Sequence, residues 1–419
     1  MSIESYCKSK IFCYDLAMIL SIIFLLGFLL RIIVAATTFG PWDTQSVYII
    51  FDLLKEGIPV YLETWRYNQP PAWLVMIEGL GRLAEWTSMP LSFWSKTPFI
   101  LSDLGIAWLI IRFSKVYQLS KKTTYYLSAF YLFSPVAIFV SAYHGQLDSL
   151  ICFLTLLSAY ILVKKEKIST QNLLLSGIIL GLAGTVKLVP LGFAPVFSIY
   201  LFKKFWQLKI SRWRIFLTLL VFNLLVFTPV ILFFIPYLDQ WEGIKKHVFG
   251  YQTAWGIWGV SMLLRRVTEI NNLPEVIYYL RDISKNQSLV IGSVVIFSYL
   301  TIFIGKFKLL EAIFFQFLTV LAFSAYVAPQ YLLWVVPFWI ILRSNLKIYL
   351  LYNLFVICLY LILFSDWDIP DLFLFLGNKM GVNDRVLLVN VYTVPVLLAW
   401  LLILIQWFKF VKSHVKFNK

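Results

Sequence analysis

An all-α polytopic membrane protein is the fold class this chain of 419 residues predicts, and three observations predict it. Its residues are 60% hydrophobic and only 14% charged, far from the balance of a soluble domain. The runs Leu16 to Ala36, Trp213 to Pro236, Leu309 to Val327 and Val386 to Trp407 each reach the roughly 20 apolar residues needed to cross hydrocarbon. Lys and Arg gather at the ends of apolar runs, as membrane orientation demands. A single anchor is thereby excluded. The net charge of +15 follows no one face, which argues against nucleic acid. Cys7, Cys13, Cys152 and Cys358 have neither metal-ligand nor disulfide-framework spacing, so no redox role follows.

The first run follows Lys8 and Lys10 and lacks a small-residue cleavage pattern before Pro41, so it reads as a retained helix. With its start in the cytoplasm, residues 37–97 form a first extracytoplasmic loop. Helices at Pro98 to Ile111, Thr124 to Tyr143 and on to Lys164 follow. Asn172 to Phe202 reads as two short helices broken near Lys187 and Pro190, a break tolerated where it lines a cavity. Further helices fall near 213–236, 287–305, 309–327, 331–342, 347–364 and 386–408. The result is one integral membrane domain over 1–419, with about 11–13 spans and both termini inside. Residues 237–286 form a second large outer loop; it holds Lys245, Lys246, Arg265, Arg266, Arg281 and Lys285, and long loops escape the charge rule.

Residues able to carry chemistry cluster at the outer ends. Gly40-Pro41-Trp42-Asp43-Thr44 opens a helix to Glu56; Gly57 to Tyr61, Tyr67-Asn68-Gln69-Pro70-Pro71 and an amphipathic stretch to Trp86 follow. Trp65, Trp73 and Trp86 suit helices lying at the membrane surface. Asp43, just past the first span, is either an N-cap shared with Thr44 or a general base; on position alone the cap comes first. Charges inside hydrocarbon cost about 2.5 to 3.5 kcal/mol each, so Asp103 and Lys187 mark function or an internal ion pair, whereas Arg31 reads as a snorkelling side chain. Tyr143-His144-Gly145-Gln146-Leu147-Asp148 is a polar turn facing a cleft, with Asp148 either capping the next helix or meeting substrate. His144 and Asp148 share a face only if the turn is helical, and no third ligand accompanies them for a metal. Ala328-Pro329-Gln330-Tyr331 is an outer turn, and Arg265 with Arg266 offers either a phosphate clamp or contacts to lipid headgroups.

Taken in order, these residues resemble the GT-C superfamily of membrane glycosyltransferases, which use polyprenyl- or dolichyl-phosphate sugars. Gly40-Pro41-Trp42-Asp43 is similar to the acidic motif of their first loop. The Gly57 to Tyr61 and Tyr67 to Pro71 segments resemble the GPI mannosyltransferase I and endoplasmic-reticulum glucosyltransferase groups. Lys96 with Asp103, His144 to Asp148, Val186-Lys187-Leu188 with Pro195, and Pro329-Gln330-Tyr331 with Pro337 also have counterparts. The likeness covers residues 30–200 and 320–340. Some relatives carry two acids spaced by one, and Pro41 stands at the first of those places, so Asp43 would act alone.

The resemblance implies a GT-C-like bundle and inverting transfer of a hexose, mannose by preference, from a polyprenyl-phosphate donor to a glycan, lipid or protein acceptor on the extracytoplasmic face. Asp43 would be the base. Tyr67, Asn68, Lys96, Asp103, His144, Gln146, Asp148, Lys187, Arg265, Arg266, Gln330 and Tyr331 would bind substrate, with Lys187 and the two arginines facing the leaving phosphate. No cofactor is required because the donor arrives activated, though a divalent metal stays open. The expected partners are the lipid-phosphate sugar, a lipid-linked or glycan acceptor and membrane lipids. A flippase of lipid-linked glycans is the alternative, and a non-catalytic assembly partner the third reading. The compact loops favour a bacterial plasma membrane over the endoplasmic reticulum, and the lone Asn286-Gln287-Ser288 sequon does not decide it.

Overall fold

The computed structural model describes residues 3–251, 257–270, 275, 287–363 and 393–415. Arg281, Lys285, Asn286 and the start of the helix expected at 386 lie outside the described residues. An open chain in lipid can satisfy its backbone only as helix, and no β-strand occurs among the described residues. The all-α polytopic class is what the structure shows. Three described segments are individually long and apolar enough to cross a membrane: Met18–Thr37, Arg212–Phe249 and Thr393–His414. The Lys121–Leu132 and Pro135–Tyr143 pair, bent by 45°, makes a fourth. Six more apolar helices are 10–17 residues long. The expected spans are therefore present mostly as short, interrupted helices, because polar motifs break them.

Two of those breaks aim side chains. A helix over Thr124 to Tyr143 is expected, but the chain stops at Leu132 and restarts at Pro135, which cannot donate an amide and would clash with the preceding turn. Ser134 at the break donates to Asn353 Oδ1 (2.8 Å). The restart ends in a π-helical turn, Phe139–Tyr143, that delivers His144. The break near Lys187 is as expected: Thr170–Val186 ends there, Val189–Phe193 is 3-10, and Ala194–Gln207 resumes.

Close packing fixes that broken segment. A Cβ on Gly177 would meet Leu225 Cβ at 3.0 Å, and one on Gly181 the Val226 carbonyl at 2.5 Å, so the helix lies backbone to backbone on Arg212–Phe234. On its other side Ser158 donates to the Ser176 carbonyl (2.8 Å) and Ser176 to the Ser158 carbonyl (3.0 Å).

Arg31 does not snorkel. It is fully buried and its Nε donates to Asp103 Oδ2 at 2.8 Å, while Tyr131 and Ser141 each donate to the same carboxylate at 2.7 Å. Reaching the interface is unnecessary when a counter-charge stands on the adjacent helix. Ser141 lies in the π-helical turn, so this network ties four helical segments together three residues before His144.

The expected outer ends converge: Tyr61 N–H donates to Gln240 Oε1 (3.1 Å), and Tyr61 and Tyr237 pack edge to face. The expected cytoplasmic ends converge likewise. Lys203 Nζ donates to the carbonyls of Ile302 (2.8 Å) and Gly305 (2.6 Å), and His414 meets Glu311 at 3.4 Å.

Removing one partner of a buried ion pair costs about 3–5 kcal/mol because a lone charge stays behind, whereas an apolar pair of similar volume is often tolerated. Arg31→Met should lower the unfolding midpoint of the purified protein in detergent far more than Arg31→Met with Asp103→Leu. Equal losses in the two variants would show that pairing is not what holds these helices.

Candidate active site

Asp43 sits in the first turn of Trp42–Lys55, but the N-cap is Pro41 and no side chain caps the helix. The cap reading is thus corrected: the carboxylate turns away from its own helix. His144 Nε2 donates to Asp43 Oδ2 at 2.8 Å and Gln146 Nε2 donates to the same oxygen at 2.7 Å. Among the described residues nothing donates to Oδ1, and the side chain is 58% exposed. One oxygen is anchored and the other faces the cleft. Burial in the recess works to raise the Asp43 pKa. The His144 hydrogen bond and charge, then the charge of Lys187 and the Gln146 hydrogen bond, outweigh it and hold the carboxyl below its ordinary value.

This junction needs glycine. Gly40 has φ +97°, and a Cβ there would meet Thr44 Oγ1 at 2.6 Å and the Tyr143 carbonyl at 2.7 Å. Gly145 has φ +67°, with Lys96 Cγ 3.0 Å from where its Cβ would be. Lys96 itself is buried and donates to the Thr38 carbonyl (2.7 Å), bracing the end of the first span.

Asp148 begins the helix Asp148–Val163 behind Leu147, so it is not the cap. Lys187 Nζ lies 3.0 and 3.1 Å from its two oxygens, and Trp334 Nε1 donates to Oδ1. The Lys187 ammonium also rests 4.5 Å from the Tyr331 ring centre, and Tyr331 stacks on Trp334 at 4.2 Å. Lys187 is therefore an internal ion pair that also lines a cavity. His144 and Asp148 part company, one to Asp43 and the other to Lys187.

Two cavities adjoin. One, about 80 Å³ and mainly polar, is lined by Asp43, Ser46, Arg66, Tyr67, Gln146 and Gln330 among others. The second, about 470 Å³ and mainly apolar, is lined by Lys187, Phe193, Phe317, Val320, Tyr331 and Trp334 among others. Asn68, Gln69 and Tyr251 line both. Tyr67 is buried and donates to the Pro70 carbonyl (2.7 Å), which shapes the shared wall.

The structure thus brings together Asp43, His144, Gln146, Tyr67, Asn68, Gln330, Lys187, Asp148 and Tyr331. It leaves out Asp103, which belongs to the Arg31 network. Arg265 and Arg266 are also left out: both are half-buried on Gly259–Ile270, which packs against Leu309–Phe323 and Thr393–His414, and they line neither cavity. Among the described residues no three His, Cys, Asp or Glu side chains gather as a metal site would need. Sequence reasoning marks Trp334 only as a residue following the Pro329 turn, and Arg66 not at all. An isolated cation between aromatics in an outer segment is the signal that could have found Arg66.

The model of a family described as GPI transamidase subunit PIG-U matches residues 44–263, a little over half of the chain. The chain belongs to this family. The match to the PIG-U family starts beside Asp43 and takes in the His144 turn and Lys187. GPI mannosyltransferase 1 of Candida albicans is 30% identical over 167 residues, 38% of each chain. GPI mannosyltransferase 1 of Debaryomyces hansenii is 22% identical over 327 residues, 70% of this chain and 73% of that one. The chain thus spans 38% of the first of these relatives and 73% of the second. Both relatives come from yeasts, so the comparisons lend the bacterial plasma membrane no support.

Positive φ costs a non-glycine residue about 1–3 kcal/mol. Gly57, with φ +69° and nothing within 4 Å of where a Cβ would stand, carries that cost alone, whereas Gly40 adds two overlaps. Gly40→Ala should therefore destabilise the protein more than Gly57→Ala in thermal unfolding, and equal losses would mean that the Gly40 contact is not tight.

Proposed function

We propose that this protein is an inverting membrane glycosyltransferase that moves mannose from a polyprenyl-phosphate donor to a glycosylphosphatidylinositol acceptor on the outer face of its membrane. The observation that carries it is Asp43: a carboxylate with one oxygen anchored by His144 and Gln146 and the other open to a polar pocket, which adjoins an apolar cavity. The names of the relatives supply the sugar and acceptor class.

The donor's isoprenoid chain takes the apolar cavity and its sugar reaches past Asn68 and Gln69 toward Asp43. The acceptor hydroxyl gives its proton to Asp43 Oδ1 as its oxygen attacks the anomeric carbon. The bond from that carbon to the phosphate oxygen breaks on the opposite face, and lipid phosphate leaves with the electron pair, so the anomeric configuration inverts. A carboxyl held below its ordinary pKa is ionised at neutral pH and ready to accept. His144 and Gln146 fix its direction. Lys187, held by both oxygens of Asp148, lines the wall of the adjoining cavity.

The family description favours a second reading, in which the chain is a non-catalytic subunit of an assembly that handles the same lipid. One experiment separates the two: purified protein is given polyprenyl-phosphate mannose and acceptor, and release of sugar is followed. Asp43→Asn should cut transfer by about 10²–10⁴-fold, the usual contribution of a positioned base, and leave the unfolding midpoint unchanged. Normal transfer by Asp43→Asn sinks the base assignment, and absence of transfer by the intact chain favours the subunit reading.

The pH profile tests the role of His144. The base must be ionised, so kcat/KM falls as pH drops through the Asp43 pKa. Removing His144 takes away a hydrogen bond and a charge that lower that pKa. His144→Gln should therefore move the acid limb of the profile to higher pH, and an unmoved limb would detach His144 from the titration of Asp43.

A further inference from the structure

Arg66 is the cation that the account of Asp43 leaves unused. It lines the Asp43 pocket, half-buried, with its guanidinium carbon 4.6 Å from the Trp42 ring centre and 5.6 Å from that of Trp65. Its Nη1 reaches Ser46 Oγ at 3.5 Å, and among the described residues it forms no ion pair. Lys187, which lines the neighbouring cavity, is spent on both oxygens of Asp148. Of the cations lining the two cavities, Arg66 is thus the one whose charge no described carboxylate offsets.

Its setting suits a phosphate. Two indoles lie within cation–π distance of the guanidinium, and an arginine fork can grip a phosphate through two oxygens at once. Trp42 is the neighbour of Asp43 in sequence, so one turn of helix carries both the base and the surface on which the cation rests. Among the described residues Asp43 is the sole acidic side chain lining the pocket, so an anion entering there needs a local cation. We propose that Arg66 is a phosphate-binding residue of this site, holding a phosphate ester of donor or acceptor in the Asp43 pocket.

This rests on the function proposed above and is tested by binding. The full chain in zwitterionic nanodiscs is titrated separately with polyprenyl phosphate, phosphatidylinositol and phosphatidylglycerol, using wild type, Arg66→Gln, Arg66→Lys and Asp43→Asn. Loss of a charge-assisted hydrogen-bonded contact should weaken binding about 10–100-fold in Arg66→Gln. Arg66→Lys should recover only part, because an ammonium lacks the fork, and Asp43→Asn should bind at least as well as wild type. The arm that weakens identifies the source as donor or acceptor. Wild-type binding of both polyprenyl phosphate and phosphatidylinositol by Arg66→Gln overturns the proposal. So does an equal loss with phosphatidylglycerol, which would make Arg66 a sensor of bilayer charge. If Asp43→Asn keeps full transfer while Arg66→Gln loses phosphate binding, the base assignment fails and this one stands.

Discussion

A charge carried into hydrocarbon has to meet its counter-charge or lose several kcal/mol, and in this chain two such meetings decide where everything else goes. Arg31 and Asp103 lock the first span to the Thr97–Val116 helix, and through Tyr131 and Ser141 they hold both sides of the Pro135 break. Asp148 and Lys187 lock the start of one helix to the broken end of another, with Trp334 as a third member. Between these two clamps lies the turn from His144 to Gln146, whose side chains meet Asp43. The functional geometry follows from a solvation constraint: the charges stay inside only because they are paired, and pairing them positions the polar turn.

Interrupted helices do the rest. An unbroken helix would hide its backbone and direct its side chains into lipid or neighbouring helices, leaving no wall for a polar ligand. Here the interruptions at Gly40-Pro41, Gly145 and Lys187 to Pro190 bring short polar stretches to the adjoining cavities, whereas that at Ser134-Pro135 lines a separate pocket with Asn353. The apolar cavity next to it, bounded by Phe193, Phe317 and Val320, offers the surroundings that an isoprenoid chain requires.

Local features were legible in the sequence: the helix after Trp42, the amphipathic helix ending near Trp86, and the break at Lys187 follow from proline, glycine and apolar spacing, which act over a few residues. Lys187 and the turn holding His144 and Gln146 were also legible as residues unhappy in lipid, and Asp43 as a carboxylate just past the first span. Their partners were not. Whether Asp43 caps its own helix or takes a hydrogen bond from a residue 101 positions away depends on packing that no local pattern encodes. Arg31 was misjudged for the same reason, since snorkelling and burial beside Asp103 look identical in one dimension. Arg265 and Arg266 line neither of the two cavities, a placement that no local pattern encodes. Arg66 stands between Trp65 and Tyr67 in sequence, but its contact with Trp42 and its place in the Asp43 pocket exist only in the fold.

The central claim is a single displacement in which Asp43 deprotonates the acceptor and no covalent sugar–enzyme intermediate forms. The anomeric configuration of the product, compared with that of the donor by NMR of the isolated glycan, tests it most directly. The account predicts inversion at the transferred carbon. Retention would require two displacements and a nucleophile that attacks the sugar, and would contradict it.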